Sequence, residues 1–405
     1  MRLFQQILWT IAAVIFLQVL MRLLDAKSPL TFYFHHSLLS SLQVAIIIWL
    51  FIAIVLHIIF RKNKHVKVGW WSAAAVIGLV TCFELLSLYW MNNPSSIPAF
   101  LRTGYVWYYA HNDSKIIQIV PECSQYDSSF FYNLKPNNSC KFSNREFSNE
   151  FVTNNKGLRD DEKSLRSPEV ICLGDSYMLG WGINQDETIP SQLEKLTGKN
   201  VLNAGMSSFG TAREMKRLMD LDTSALKYVV IQYCANDNEE NKSYFDNGGK
   251  LRISSKDSYD SLGRRDAWNK KYFPGKIFLT SLKYLFKETG KSILGRPPSV
   301  IGLPIEPKRD AKMFADILKS SSIDFNKTKV IVFAGDNLEF INNNAFQNEV
   351  KKLAAQPGYK EHFGSNLVIA DLSGVLNKDD FYILDGHFKS SAHQKIAARL
   401  AALLK

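Results

Sequence analysis

Cysteine is scarce in this chain: five in 405 residues cannot build the dense disulfide framework that holds small secreted folds together. None of them forms a Cys-x-x-Cys pair and no His-Glu-x-x-His occurs, so the common zinc spacings are excluded and no metal is expected. Phosphate-cradling Walker loops and dinucleotide glycine fingerprints are missing too, and no cofactor is expected. The formal net charge of +11 comes without a zinc-finger or RNA-binding signature, which argues against a nucleic-acid partner. Charge itself is lacking from long stretches of the first ninety or so residues, and those stretches carry the first positive signal.

The run from Leu3 to Leu20 is too long for the apolar centre of a cleaved signal peptide, and no small-residue cleavage pattern follows it. Two further runs, about 38–60 and 68–91, are each close to the roughly 20 residues that a helix needs to cross hydrocarbon. Three transmembrane helices are expected, with the lipid bilayer as a partner. Trp70, Trp71, Tyr89 and Trp90 lie near the ends of the third run, where aromatic rings favour the headgroup layer. His57 reads as an interfacial residue; Glu84 could mark an intramembrane site, but it lies within reach of the outer end of its span and near Ser87, which favours a structural reading.

Arg61, Lys62, Lys64 and Lys67 crowd the short loop between spans two and three, whereas the first loop has only Arg22 and Lys27 against Asp25. The positive-inside rule then makes the second loop cytoplasmic, places the N-terminus in the cytoplasm and puts everything after residue 91 outside. The topogenic cluster accounts for part of the positive charge; Arg264-Arg265 and Lys270-Lys271 read as a solvated face. In an oxidising compartment Cys123 and Cys140 are candidates for one bridge, while Cys172 and Cys234 sit in apolar runs and read as core.

The organisation is a membrane anchor over 1–91, a connecting or small β-rich segment over 92–165 and a main domain over 166–405. Within the main domain Val170-Ile171-Cys172-Leu173, Val201-Leu202-Asn203, Tyr228-Val229-Val230-Ile231, Val330-Ile331-Val332-Phe333 and Leu367-Val368-Ile369 read as buried parallel strands. Helices are expected over 189–196, 211–219, 310–320, 340–353 and 390–404, so the class is α/β, a doubly wound, mostly parallel five-stranded sheet. The stretch 239–322 is too long for a tight connection and is read as an insertion with a lid or substrate-contact role.

Ligands of an open parallel sheet bind beyond the carboxyl ends of its strands. There the chain places Gly174-Asp175-Ser176, Asn203-Ala204-Gly205, Cys234-Ala235-Asn236-Asp237 and, after the last strand, Asp385-Gly386-His387. A serine hydroxyl needs a histidine to take its proton, and the histidine needs a carboxylate to fix its tautomer; Ser176, His387 and Asp385 supply the three. The backbone N–H groups of Ser176 and Gly205 and the side-chain amide of Asn236 are suitable donors for an oxyanion. Asp380 stands as the alternative acid, and His393 competes as base but sits at a helix start suited to capping or packing. Asp175 reads as a helix cap, and Gly180-Trp181-Gly182 as a turn bordering the site.

These four blocks, with Tyr177, Gly180 and Gly182 in the first, resemble in order and content the SGNH hydrolase superfamily, also called GDSL esterases and lipases, over roughly residues 168–404. The resemblance implies a flavodoxin-like fold, Ser176 as nucleophile and oxyanion donor, Gly205 and Asn236 as the other donors, His387 as base and Asp385 as its partner. The chain departs from that pattern in Tyr177, where the family name has Leu, and in the single residue between Asp385 and His387, where two are common. The expectation is a serine esterase that forms an acyl-Ser176 intermediate on an acylated cell-envelope glycan or lipid. An O-acyltransferase acting on an envelope polysaccharide and a non-catalytic glycan-binding or assembly protein are the alternatives.

Overall fold

A computed structural model of the chain describes residues 55, 58, 59, 64–273, 275–297 and 305–404. The first apolar run, nearly all of the second, His57, Arg61 and Lys62 lie outside the described residues. The elements in chain order are α1 (Lys64–Asn92), α2 (Ala99–Asn112), β1 (Ser124–Asp127), β2 (Phe131–Leu134), β3 (Ser139–Ser143), β4 (Ser148–Val152) and β5 (Val170–Leu173). There follow α3 (Ser176–Leu179), α4 (Ile189–Thr197), β6 (Val201–Asn203), α5 (Thr211–Met219), β7 (Tyr228–Tyr233), α6 (Asp237–Asp246), α7 (Lys256–Asn269) and α8 (Lys276–Ile293). The last are α9 (Pro307–Lys319), β8 (Lys329–Ala334), α10 (Leu338–Asn343), α11 (Ala345–Ala354), α12 (Pro357–Phe363), β9 (Leu367–Ile369) and α13 (Ser390–Ala401).

The chain divides into two compact units, one of residues up to Asn112 together with Ala267–Gly295, the other of Asp113–Asp266 and Arg296–Lys405. Part of the 239–322 stretch thus packs with the N-terminal unit. In that unit α8 packs against α2 and α1. Glu84, fully buried on α1, accepts from the backbone N–H groups of Ile277 (3.1 Å) and Phe278 (2.8 Å), satisfying two orphan donors of the first turn of α8. Ser87 Oγ meets the Tyr105 hydroxyl at 2.6 Å. The third apolar run lies within α1, and among the described residues no helix is long and apolar enough to cross a membrane.

In the second unit, five parallel strands form one sheet in the order β6-β5-β7-β8-β9, the doubly wound arrangement. The near-continuous apolar runs follow from burial on both faces. Ile171, Leu173, Val229, Ile231, Val330 and Val332 face a core with α5, α9 and α11, while Val170, Cys172, Val230, Ile331 and Phe333 face another with α4 and α13. Each such side chain taken from water contributes roughly 1.5–3 kcal/mol. The single helix expected over 340–353 is two, because Asn344 adopts φ +54° between α10 and α11, a left-handed conformation that asparagine tolerates.

Before the sheet lie two antiparallel ribbons, β1–β2 with Ser124 opposite Leu134 and β3–β4 with Ser139 opposite Val152. A disulfide joins Cys123 to Cys140 and so ties one ribbon to the other. Cys172 and Cys234 are buried thiols, as their apolar surroundings led one to expect.

Candidate active site

Because the strand order reverses on either side of β5, the crevice at the carboxyl ends of β5 and β7 is the topological switch point. The chain leaves β5 through Gly174-Asp175 and starts α3 at Ser176. Asp175 caps this helix, accepting from the Tyr177 N–H at 3.0 Å, and its other carboxylate oxygen accepts from Asn236 Nδ2 at 3.2 Å across the switch point. Its own N–H donates to Gln232 Oε1 at 2.9 Å, and Gln232 Nε2 donates to the Gly335 carbonyl at 2.7 Å, so one buried amide links the ends of β5 and β8. Burial raises the Asp175 carboxyl above its ordinary range, against the hydrogen bond from Tyr177 and the charge of His387.

The far end of α3 is held by Arg159, one of the largest fully buried side chains. Its guanidinium donates to the carbonyls of Leu179 (3.3 Å), Gly180 (2.5 Å), Ile183 (2.7 Å) and Glu150 (3.1 Å), and lies over the Phe151 ring at 3.7 Å. Four carbonyls take the place of a counter-ion, and burial lowers its pKa to about 9.

The histidine arrives on a loop closed by the Phe381–Phe388 bridge and by the Tyr382 N–H donating to the His387 carbonyl at 2.9 Å. Within it Gly386 has φ +77°, a conformation that side chains resist, and this turn brings Asp385 Oδ1 onto His387 Nδ1 despite the single intervening residue. His387 Nε2 lies 2.8 Å from Ser176 Oγ. Since a carboxylate only accepts, Nδ1 carries the proton and Nε2 is left to accept from the serine hydroxyl. Burial disfavours the imidazolium, but the charge and hydrogen bond of Asp385, with Asp175 and Asp336, outweigh it and raise the His387 pKa. The ring is held between Trp181 (centroids 5.0 Å apart, stacked) and Tyr177 (4.7 Å).

The competing residues lie elsewhere. Asp380 pairs with Lys395 at 2.7 Å and accepts from Ser391 Oγ at 2.6 Å. His393 is fully buried, its Nδ1 accepts from the Ile189 N–H at 3.2 Å, and burial lowers its pKa to about 3, keeping it neutral. Gly205 packs tightly on α3, where a Cβ would stand 2.5 Å from the Leu179 nitrogen. Its N–H donates to Asn203 Oδ1 at 3.1 Å, so an oxyanion would have to draw that donor away from Asn203. Sequence reasoning missed Gln232, a polar residue inside an apolar strand, and Asp336, which follows β8 and accepts from the Ala235 N–H at 3.2 Å. The rule that polar residues after strands face the ligand covers Asp336.

No family model matches this chain, and no curated protein does. Among solved structures it is similar to one named as a lipolytic protein of the G-D-S-L family from Desulfitobacterium hafniense DCB-2, at 12% identity over 58% of this chain and 98% of that one, TM-score 0.29. A member of the lipolytic protein G-D-S-L family from Veillonella parvula DSM 2008 gives 10% identity over 58% and 96%, TM-score 0.31. A GDSL-like lipase by name from Bacteroides ovatus ATCC 8483 gives 12% over 62% and 65%, TM-score 0.29. The chain's resemblance to the SGNH, or GDSL, hydrolases is carried by its own four sequence blocks and by the strand ends at which they stand.

Proposed function

We propose that this chain is a serine-dependent ester hydrolase that works through an acyl-Ser176 intermediate. The observation that carries the reading is the file Ser176 Oγ, His387 Nε2, His387 Nδ1, Asp385 Oδ1, with 2.8 Å between the serine oxygen and the imidazole. His387 accepts the hydroxyl proton as Oγ attacks the ester carbonyl, then returns it to the departing alcohol; Asp385 holds the tautomer and offsets the imidazolium charge. The second hydrogen of the Asn236 amide, the Ser176 N–H and the Gly205 N–H, once released by Asn203, are the donors assigned to the tetrahedral oxyanion. Water entering on the same His387 frees the acid.

The substrate class proposed is an acylated glycan or lipid of the cell envelope, with the apolar N-terminal runs holding the domain outside the membrane beside it. Activity on p-nitrophenyl acetate with wild type beside Ser176→Ala tests the chemistry: a large loss in the variant is expected, and equal, background-level rates would sink the enzyme reading. A C-terminal reporter active only outside the cytoplasm tests the topology, and activity inside would overturn it.

A further inference from the structure

The turn between β3 and β4 carries Asn144-Arg145-Glu146-Phe147, well before the segment that resembles the SGNH hydrolases. Glu146 reaches the loop that bears the acid and the base. One of its carboxylate oxygens accepts from the Ile383 N–H at 2.8 Å, and the other from the N–H groups of Leu384 (2.8 Å) and Asp385 (2.9 Å). Three successive backbone donors converging on one carboxylate form an anion nest, filled here by a side chain of the same protein. Charge-assisted bonds of this length are among the stronger ones in proteins and fix direction as well as distance.

The turn is itself anchored. Arg145 pairs with Asp113 through two nitrogens at 2.6 and 2.9 Å, and Asn144 Oδ1 accepts from the Lys115 N–H at 2.7 Å. Phe147 packs against Tyr382 and Trp181, whose rings flank the histidine loop and the histidine itself.

We infer that Glu146 is a positioning residue for the triad: by holding the backbone of 383–385 it aims the Asp385 carboxylate at His387, so the β3–β4 ribbon is part of the working site. The inference rests on the esterase reading for its kinetic consequence but not for its structural one. Loss of the clamp would leave three N–H groups to be satisfied by water and let the acid swing.

The test compares wild type, Glu146→Gln, Glu146→Asp and Arg145→Met in the full chain, by p-nitrophenyl acetate kinetics, thermal melting and the NMR resonance of the His387 Nδ1 proton. Glu146→Gln should lower kcat on the order of tenfold to a hundredfold, as about 1 Å of misplacement does, with KM little changed, and should move the Nδ1 proton signal upfield. Glu146→Asp, which keeps the carboxylate, should restore part of both and carries the test if the glutamine variant does not fold. Arg145→Met, which loosens the turn but keeps the Glu146 carboxylate, should melt earlier and lose less of both than Glu146→Gln. Wild-type kcat and an unmoved resonance in Glu146→Gln, or equal kinetic losses in Arg145→Met, overturn the inference. Should wild type and Ser176→Ala be equally inactive, the esterase reading fails, while the resonance still decides the role of Glu146.

Discussion

Asp385 and His387 stand two residues apart and still meet through Oδ1 and Nδ1, because Gly386 between them turns the chain at φ +77°. A Cβ at Gly386 would meet nothing within 4 Å, so the demand on this position is purely conformational. The short spacing is therefore a different loop serving the same contact.

Gly386→Ala separates conformation from packing. The left-handed backbone costs an alanine about 1–2 kcal/mol, which should appear as a modest fall in melting temperature. If the loop relaxes to escape that cost, the acid leaves the histidine and kcat falls much further than stability does. Unchanged kinetics in a destabilised variant would show that the turn is dispensable for the acid.

In the proposed mechanism His387 acts as a neutral base, and its pKa is raised, so activity should rise with pH through an apparent pKa above the ordinary histidine value of about 6.5. Asp385→Asn removes a main cause of that rise, so the limb should move to lower pH while kcat drops on the order of 10⁴-fold. A pH–rate limb that stays in place would show that Asp385 does not face the imidazolium.

The choice of base is checked by paired substitutions. His387→Ala should abolish turnover with little effect on melting, because the ring is partly exposed. His393→Ala should keep turnover and lose stability, because the buried ring satisfies the Ile189 N–H and packs edge-on to Phe388. Retained activity in His387→Ala would reassign the base.

Glu214 and Asp237 are fully buried near one another and near Asp175, and neither oxygen of Glu214 has a hydrogen-bond partner among the described residues. Burial, then the charge of Asp175, raises Glu214 well above its usual range. A carboxyl that keeps its proton when folded favours the folded state at low pH, and that contribution is lost as pH rises from the unfolded value of about 4.3 through the folded one. Glu214→Gln should therefore melt higher than wild type near pH 8, with the difference shrinking towards pH 4. A glutamine variant less stable at both ends would show that the charge is needed.

Arg159→Met keeps much of the apolar stem and removes the donors. Four carbonyls around α3 then lose their partner, and a destabilisation on the order of 4 kcal/mol is expected by chemical unfolding, together with a slower enzyme as Ser176 loosens. A variant as stable as wild type would mean that water replaces the guanidinium.

The sheet was legible because its strands are buried on both faces, which leaves apolar runs that stand out against any flanking loop. The ends of those runs pointed to Ser176, Asn203, Asn236 and, after the last of them, His387 for the same reason. The ribbons were less so: β3 reads Ser-Cys-Lys-Phe-Ser, five residues in which only two are buried, and a pattern that short is hard to tell from a loop. Glu146 was beyond reach altogether, since its partners are backbone N–H groups over two hundred residues away and leave no mark on side-chain chemistry. The ambiguity between Asp385 and Asp380 was of another kind. Both are near His387 in sequence, and only the backbone turn at Gly386 and the Lys395 ammonium beside Asp380 distinguish them.

The Gln232 amide joins the Asp175 N–H to the Gly335 carbonyl from a position inside β7. Exposing the Asp175 amide to solvent therefore means breaking its bond to a fully buried side chain of β7. In hydrogen-exchange terms that proton should be released only with the whole sheet, and the serine should be as rigid as the core of the protein rather than as mobile as the loop it stands on.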